Sequence, residues 1–265
     1  MSDSIAITSG KGGVGKTTLC VNLAIAFKKL MNTVLLLDTD LGMANSHVLM
    51  GLNPKESLSR VISGNATVKD IICNTPSGVQ LVSGGAASSE LLNLNNNQRY
   101  NLINSVENYL EEKDKVKLIV DIAAGAEDNS IFFSNACNRI VVVVVGEPTS
   151  FIDSYALIKA INQSSGFREF CILINQADNS EQGKQLFNKF SEITSRFLDI
   201  NLHYVGFVEF SKKIKKSIID RKPIISSDPK SDISLKFQKI AMDILNTPKN
   251  FWGGLSFFRK TKQTA

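Results

Sequence analysis

The feature that most constrains this chain is the stretch SGKGGVGKTTL at residues 9–19. A β-branched and aliphatic run, Ser4 to Thr8, precedes it, and an amphipathic segment of helical period, Thr17 to Lys28, follows it. Strand, glycine-rich loop and helix in that order aim backbone N–H groups and the positive end of a helix dipole at an anion. Two phosphate motifs fit. Gly10, Gly12 and Gly15 satisfy G-x-G-x-x-G, with Asp38 and Asp40 near the place of a dinucleotide fold's ribose-binding acid. Gly10, Gly15, Lys16 and Thr17 also satisfy G-x-x-x-x-G-K-[ST]. The second motif demands a lysine and a hydroxyl that a dinucleotide site does not need, so a phosphate loop is the better assignment. Its glycines let the backbone of Gly12, Gly13, Val14 and Gly15 wrap the β-phosphate, Lys16 reaches the β and γ oxygens, and Thr17 offers its hydroxyl to Mg²⁺. Lys11 is left over. Lys16 and Mg²⁺ already occupy the phosphate side, so Lys11 is expected to point outward, where it could stabilise charge on a nucleotide held by a facing copy. A solvated loop lysine is the bland alternative.

The same alternation continues along the chain. Short aliphatic runs at Thr33 to Asp38, Val79 to Val82, Lys117 to Asp121, Arg139 to Val145, Phe170 to Ile174 and His203 to Phe207 are separated by segments of helical period. Strands alternating with helices predict a mainly parallel, twisted α/β sheet with helices on both faces. RIVVVVV, with no polar alternation, reads as a central strand buried on both sides. NLNNNQ at 93–98 reads as a polar loop or cap. A last helix runs from about Lys230 to Leu245, so the domain is placed at 1–247 and the compositionally different remainder, 248–265, is a tail.

Composition excludes several classes. The chain is 43% hydrophobic and 21% charged, with no run long enough to cross a bilayer. Cys20, Cys73, Cys137 and Cys171 are dispersed, and neither His47 nor His203 has a Cys or His at metal-ligand spacing. Reduced thiols in a cytoplasmic protein follow, and an iron–sulphur carrier, which needs paired thiolates, is disfavoured. The net charge of +5 is modest, but Lys212, Lys213, Lys215, Lys216, Arg221 and Lys222 are clustered.

KGGVGKTT matches the deviant Walker A signature, and the chain here resembles the MinD/ParA family of P-loop ATPases. The resemblance implies that Lys11 reaches across an ATP-sandwich homodimer and that Thr18 contacts the α-phosphate. By the same resemblance VLLLDTDLGMAN would supply Asp38 for the Mg²⁺ shell and Asp40 to position the attacking water; LIVDIAAG resembles a Walker B segment, which implies Asp121 near the metal and Gly125 beside the γ-phosphate. Ile122 and Ala123 depart from the family's D-T-G-A-G or D-S-P-A-G. ILIN ends on Asn175, matching the asparagine that reads adenine, and EPTSFIDSYALIK resembles the dimer-facing segment, where Asp153 matches an aspartate associated with the signature lysine.

DTDLGMANSHVLMGLNP is close to the D-A-D-L-G-L-A-N pattern of the FlhG-type (FleN, YlxH) group, MinD-like ATPases that regulate flagellar number and placement. That implies slow, Mg-dependent ATP hydrolysis and a dimer-controlled switch reversibly associated with the inner face of the cell membrane. Its partners would include a flagellar regulator such as an FlhF-like GTPase or a transcription regulator. The group's N-terminal D-Q-A-x-x-L-R helix has no counterpart, since the first strand begins at about Ser4. In the tail, Phe251, Trp252, Leu255 and Phe258 would share a face if helical, with Lys249, Arg259, Lys260 and Lys262 nearby, a composition suited to an anionic bilayer; Gly253 and Gly254 weaken such a helix, and packing of the tail on its own domain is the alternative. A ParA-like partition ATPase that binds DNA through the basic cluster, and a MinD-type division-site regulator, are the competing readings.

Overall fold

The computed structural model describes residues 2–30, 33–41, 44–85, 94–111, 113, 115–251 and 253–258. Its strands are β1 (Asp3–Thr8), β2 (Thr33–Asp38), β3 (Cys73–Asn74), β4 (Gln80–Val82), β5 (Val116–Asp121), β6 (Arg139–Val144), β7 (Glu169–Ala177) and β8 (Asn201–Glu209). They form one sheet in the order β3-β4-β2-β5-β1-β6-β7-β8. Every neighbouring pair is parallel except the short β3 against β4. The helices are α1 (Lys16–Leu30), α2 (Ser46–Leu49), α3 (Leu58–Ile62), α4 (Val68–Ile71), α5 (Asn96–Glu111), α6 (Asp128–Asn135), α7 (Pro148–Ser165), α8 (Ser180–Ser195), α9 (Lys212–Ile219), α10 (Ile224–Ser227) and α11 (Asp232–Asn246). The expected α/β architecture is present; the strand missed, β3, has two residues and no periodicity to read.

Two apolar layers sandwich the sheet, and alternation along each strand assigns side chains to them. Ala6 of β1 faces a layer built with Leu102 and Val106 of α5, Phe133 of α6, Leu157 of α7 and Phe190 of α8. Ile5 and Ile7 face the other, with Leu23 and Phe27 of α1, Ile225 of α10 and Phe237 of α11. β6 is buried along its whole length between β1 and β7, as its unbroken valines require. Asn95 caps α5: its side chain accepts from the Gln98 N–H at 2.9 Å while Gln98 accepts from the Asn95 N–H. Asn93 lies outside the described residues.

The tail differs from the expectation of an amphipathic helix. None of its described residues is helical. Phe257 is fully buried, and Leu255 and Phe258 pack half-buried against the same layer. Asn250 donates to the Glu169 carbonyl at 2.7 Å and accepts from the Glu169 N–H, and the Phe257 N–H donates to the Ala136 carbonyl. The Gly253–Gly254 pair releases the chain from helical geometry, and burying a phenylalanine, worth about 2–3 kcal/mol, outweighs a marginal helix. Phe251 stays exposed. Trp252, Arg259, Lys260 and Lys262 lie outside the described residues.

Candidate nucleotide-binding site

At the C-terminal ends of β1, β2 and β5 the sheet opens into a cleft of about 500 Å³. This is the crevice position at which open α/β sheets bind ligands. It is lined by Lys11, Gly12, Gly13, Gly15, Lys16, Thr17 and Thr18 on one side, and by Asp40, Asn45, Ala123 and Glu127 on the other. Gly13 (φ 79°) and Gly15 (φ 85°) adopt the left-handed conformation that turns the loop, and a Cβ on Gly12 or Gly13 would meet nothing within 4 Å. The loop is therefore an open cradle, already bent. Gly10 is glycine for a different reason: a Cβ there would lie 2.2 Å from the Asp153 carbonyl carbon, so the loop packs against the backbone of α7.

The register of β2 with β5 sets Asp38 beside Asp121, and both carboxylates are fully buried. Lys16, also buried, reaches Asp121 at 2.6 Å. Ser46, at the start of α2, ties the acids together: its N–H donates to Asp38 at 3.0 Å and its hydroxyl to Asp121 at 3.2 Å. Thr39 donates its hydroxyl to the Asp121 carbonyl. Burial, followed by the charge of Asp121, pushes the Asp38 carboxyl up to about 7. Burial lowers the Lys16 ammonium, but Asp121 outweighs it and the net shift is upward. Two buried acids thus share one lysine, a donor set short of positive charge and rich in oxygen, which suits a hard divalent cation. Thr17, Asp38 and Asp121 are the residues that would hold Mg²⁺, and Lys16 would exchange Asp121 for phosphate oxygens. Asp40 sits at the cleft wall, its N–H donating to Asp38 at 3.1 Å.

Lys11 is on the rim and half-exposed, with Glu147 at 2.6 Å and the Thr149 hydroxyl at 3.1 Å. The carboxylate it meets is therefore that of Glu147, just before α7; Asp153 contributes its backbone beneath Gly10. Asn175, at the end of β7, donates to the Val14 carbonyl at 2.7 Å, does not line the cleft, and braces the loop from behind. Val14 itself is buried. In the DIAAG segment Gly125 (φ 97°) donates its N–H to the Ser9 carbonyl, and Ile122 is buried, which accounts for an apolar residue at that departure. Sequence reasoning missed Ser46, Thr39 and Glu147; a serine opening a helix right after the DTDLGMAN segment was the one available signal. Gly42 and Met43 of that segment lie outside the described residues. No group of three or more His, Cys, Asp or Glu that could hold a metal ion occurs among the described residues.

Comparison with known proteins agrees with this geometry. Residues 5–224 match the CobQ/CobB/MinD/ParA nucleotide-binding domain. The chain is 39% identical over 256 residues to the antiactivator FleN of Pseudomonas aeruginosa, covering 96% of this chain and 91% of that protein. It is 28% identical to the flagellum site-determining protein YlxH of Helicobacter pylori, covering 89% and 80%. Among solved structures, the septum site-determining protein MinD of Pyrococcus horikoshii complexed with Mg-ADP superposes with a TM-score of 0.74 at 20% identity, covering 92% and 96%. The chain belongs to the CobQ/CobB/MinD/ParA family of nucleotide-binding domains.

Proposed function

We propose that this protein is an ATP-driven dimerisation switch that regulates the number or placement of flagella through its contacts with a membrane and with a regulatory partner. The observation that carries the reading is the disposition of the two loop lysines. Lys16 is buried against Asp121, on the side where its own phosphates would lie, whereas Lys11 is held at the rim by Glu147 and Thr149. A rim ammonium that faces outward is placed to serve a nucleotide in a second copy and contributes little to its own. Mg²⁺, when bound, supplies Lewis-acid neutralisation of the phosphate oxygens. The protein's own residues do the rest: the loop orients the phosphates, Lys16 neutralises them, and Asp40 positions the attacking water. Hydrolysis dissolves the dimer and resets the switch.

The likeness to FleN and YlxH supports a flagellar pathway, in which a GTPase or transcription regulator would read the dimer. The tail would reach the membrane only when Leu255 and Phe258 leave the domain, which makes contact reversible. Vesicle pelleting of the purified protein in Mg-ATP and in Mg-ADP, alongside its turnover of ATP, tests the reading. Pelleting in ATP alone, with slow turnover abolished by Lys11→Ala, is expected; turnover unchanged by Lys11→Ala would contradict it.

A further inference from the structure

α9 carries an outward face that the nucleotide chemistry does not use. Ser211 caps it, accepting from the Lys213 N–H at 3.2 Å. Its inner side is fixed: Ser217 is buried, Ile214 packs against the α1 layer, and Ile218 lies beside Thr18 and Leu49. Lys213, at the flank, pairs with Asp228 at 3.3 Å. The opposite side holds Lys212, Lys215, Lys216 and Ile219, a spacing of i, i+3, i+4 and i+7 that stacks them on one face. None of these three lysines makes an ion pair among the described residues. Ile219, at the C-terminal end of the stripe, is 72% exposed, and Phe210, just before the helix, is 71% exposed. Arg221, in a left-handed turn (φ 51°), and Lys222 extend the charge, with Asp220 the lone acid of the stretch.

We infer that α9 is a second membrane contact, binding anionic phospholipid with its lysines at the headgroups and Ile219 and Phe210 in the interface. This rests on the membrane reading above but places the contact away from the tail: α9 follows the C-terminal end of β8, at the nucleotide end of the sheet, whereas Asn250 is tied to the first residue of β7 at the other end. Charge alone would suit any polyanion. The isoleucine decides in favour of lipid, because an aliphatic side chain among lysines gains from an acyl boundary and has nothing to stack on or bond to along a nucleic-acid backbone. Each lysine brought to an anionic surface strengthens binding about fivefold.

The test is flotation of the full chain with vesicles of equimolar phosphatidylglycerol and phosphatidylethanolamine, and with pure phosphatidylcholine. The variants are Lys215→Glu/Lys216→Glu, Ile219→Ser and Leu255→Ser/Phe258→Ser, each checked for unchanged ATP turnover and circular dichroism; a parallel assay measures binding to random-sequence duplex DNA. Binding to the phosphatidylglycerol vesicles should fall about twentyfold or more in the double lysine variant and about fivefold in Ile219→Ser, without binding to phosphatidylcholine. Binding kept in both α9 variants but lost in the tail variant overturns the inference and leaves the membrane reading standing. Loss with the lysines but not with Ile219→Ser, matched by lost DNA binding, overturns it in favour of nucleic acid. No vesicle binding by the unaltered chain overturns both.

Discussion

The two ends of β1 each carry a buried ion cluster, and they are built in opposite senses. At the N-terminal end one carboxylate, Asp3, is surrounded by Arg139, Lys117 and Lys249, and Arg139 also donates to the Leu245 and Thr247 carbonyls at the end of α11. The cluster is closed by the chain itself and ties the tail to the sheet. Past the C-terminal end, two carboxylates face one lysine at the wall of an open cleft. The first has cations in excess of its single carboxylate; the second is left short of cations, and burial together with the charge of Asp121 makes Asp38 hold its proton up to about 7. The lesson is that burial and ion pairing alone do not mark a functional site. What marks one here is buried carboxylate charge without matching cations at the wall of an open cleft.

The comparison can be broken by exchanging which end is damaged. Asp3→Ala strands Arg139 and Lys117 without their carboxylate and should cost about 3–5 kcal/mol of stability, read from urea unfolding, with the nucleotide affinity of the folded protein unchanged. Lys16→Ala should weaken ATP binding about a hundredfold or more, measured by titration calorimetry. Should Asp3→Ala impair ATP binding as severely, the two ends are not separable.

A sharper test is the pH dependence of the nucleotide-free protein. Because the Asp38 carboxyl holds its proton to about 7 when folded and releases it in the ordinary carboxylate range when unfolded, the native state binds more protons between those values. Its contribution to stability is therefore present at low pH and lost as pH rises to about 7 and beyond. Asp38→Asn should remove that decline and make the empty protein more stable than the unaltered chain at pH 8, while weakening Mg-ATP binding. Unfolding curves across pH 5–8 check the slope. The smallest effect belongs to the rim: the Lys11–Glu147 pair is exposed, and such pairs are weak. Glu147→Gln should favour the ATP dimer by no more than about fivefold, measured by sedimentation.

The parts of the molecule legible in the sequence are those encoded locally. The strand, loop and helix around Lys16 lie within about one turn of one another along the chain, and the acids at the ends of β2 and β5 follow from strands that announce themselves by their aliphatic runs. What was not legible depends on distant approach. Nothing local says that the start of α7 comes up beneath Gly10 and offers Glu147 to Lys11, because that contact joins residues 136 positions apart. The tail misleads for a related reason: its aromatic residues suit an interfacial helix, but only the three-dimensional gap beside Ala136 determines that Phe257 is buried. Ser46 was hidden because a hydroxyl opening a short helix is ordinarily no more than a cap.

The most direct test of the account is the mass of the protein in solution under saturating Mg-ATP, by light scattering coupled to size exclusion. Asp40→Ala, which binds ATP without positioning water, should run as a stable dimer, and adding Lys11→Ala to it should return the monomer with ATP still bound. A double variant that stays dimeric, or an Asp40→Ala protein that stays monomeric, would contradict the assignment of Lys11 to a neighbour's nucleotide.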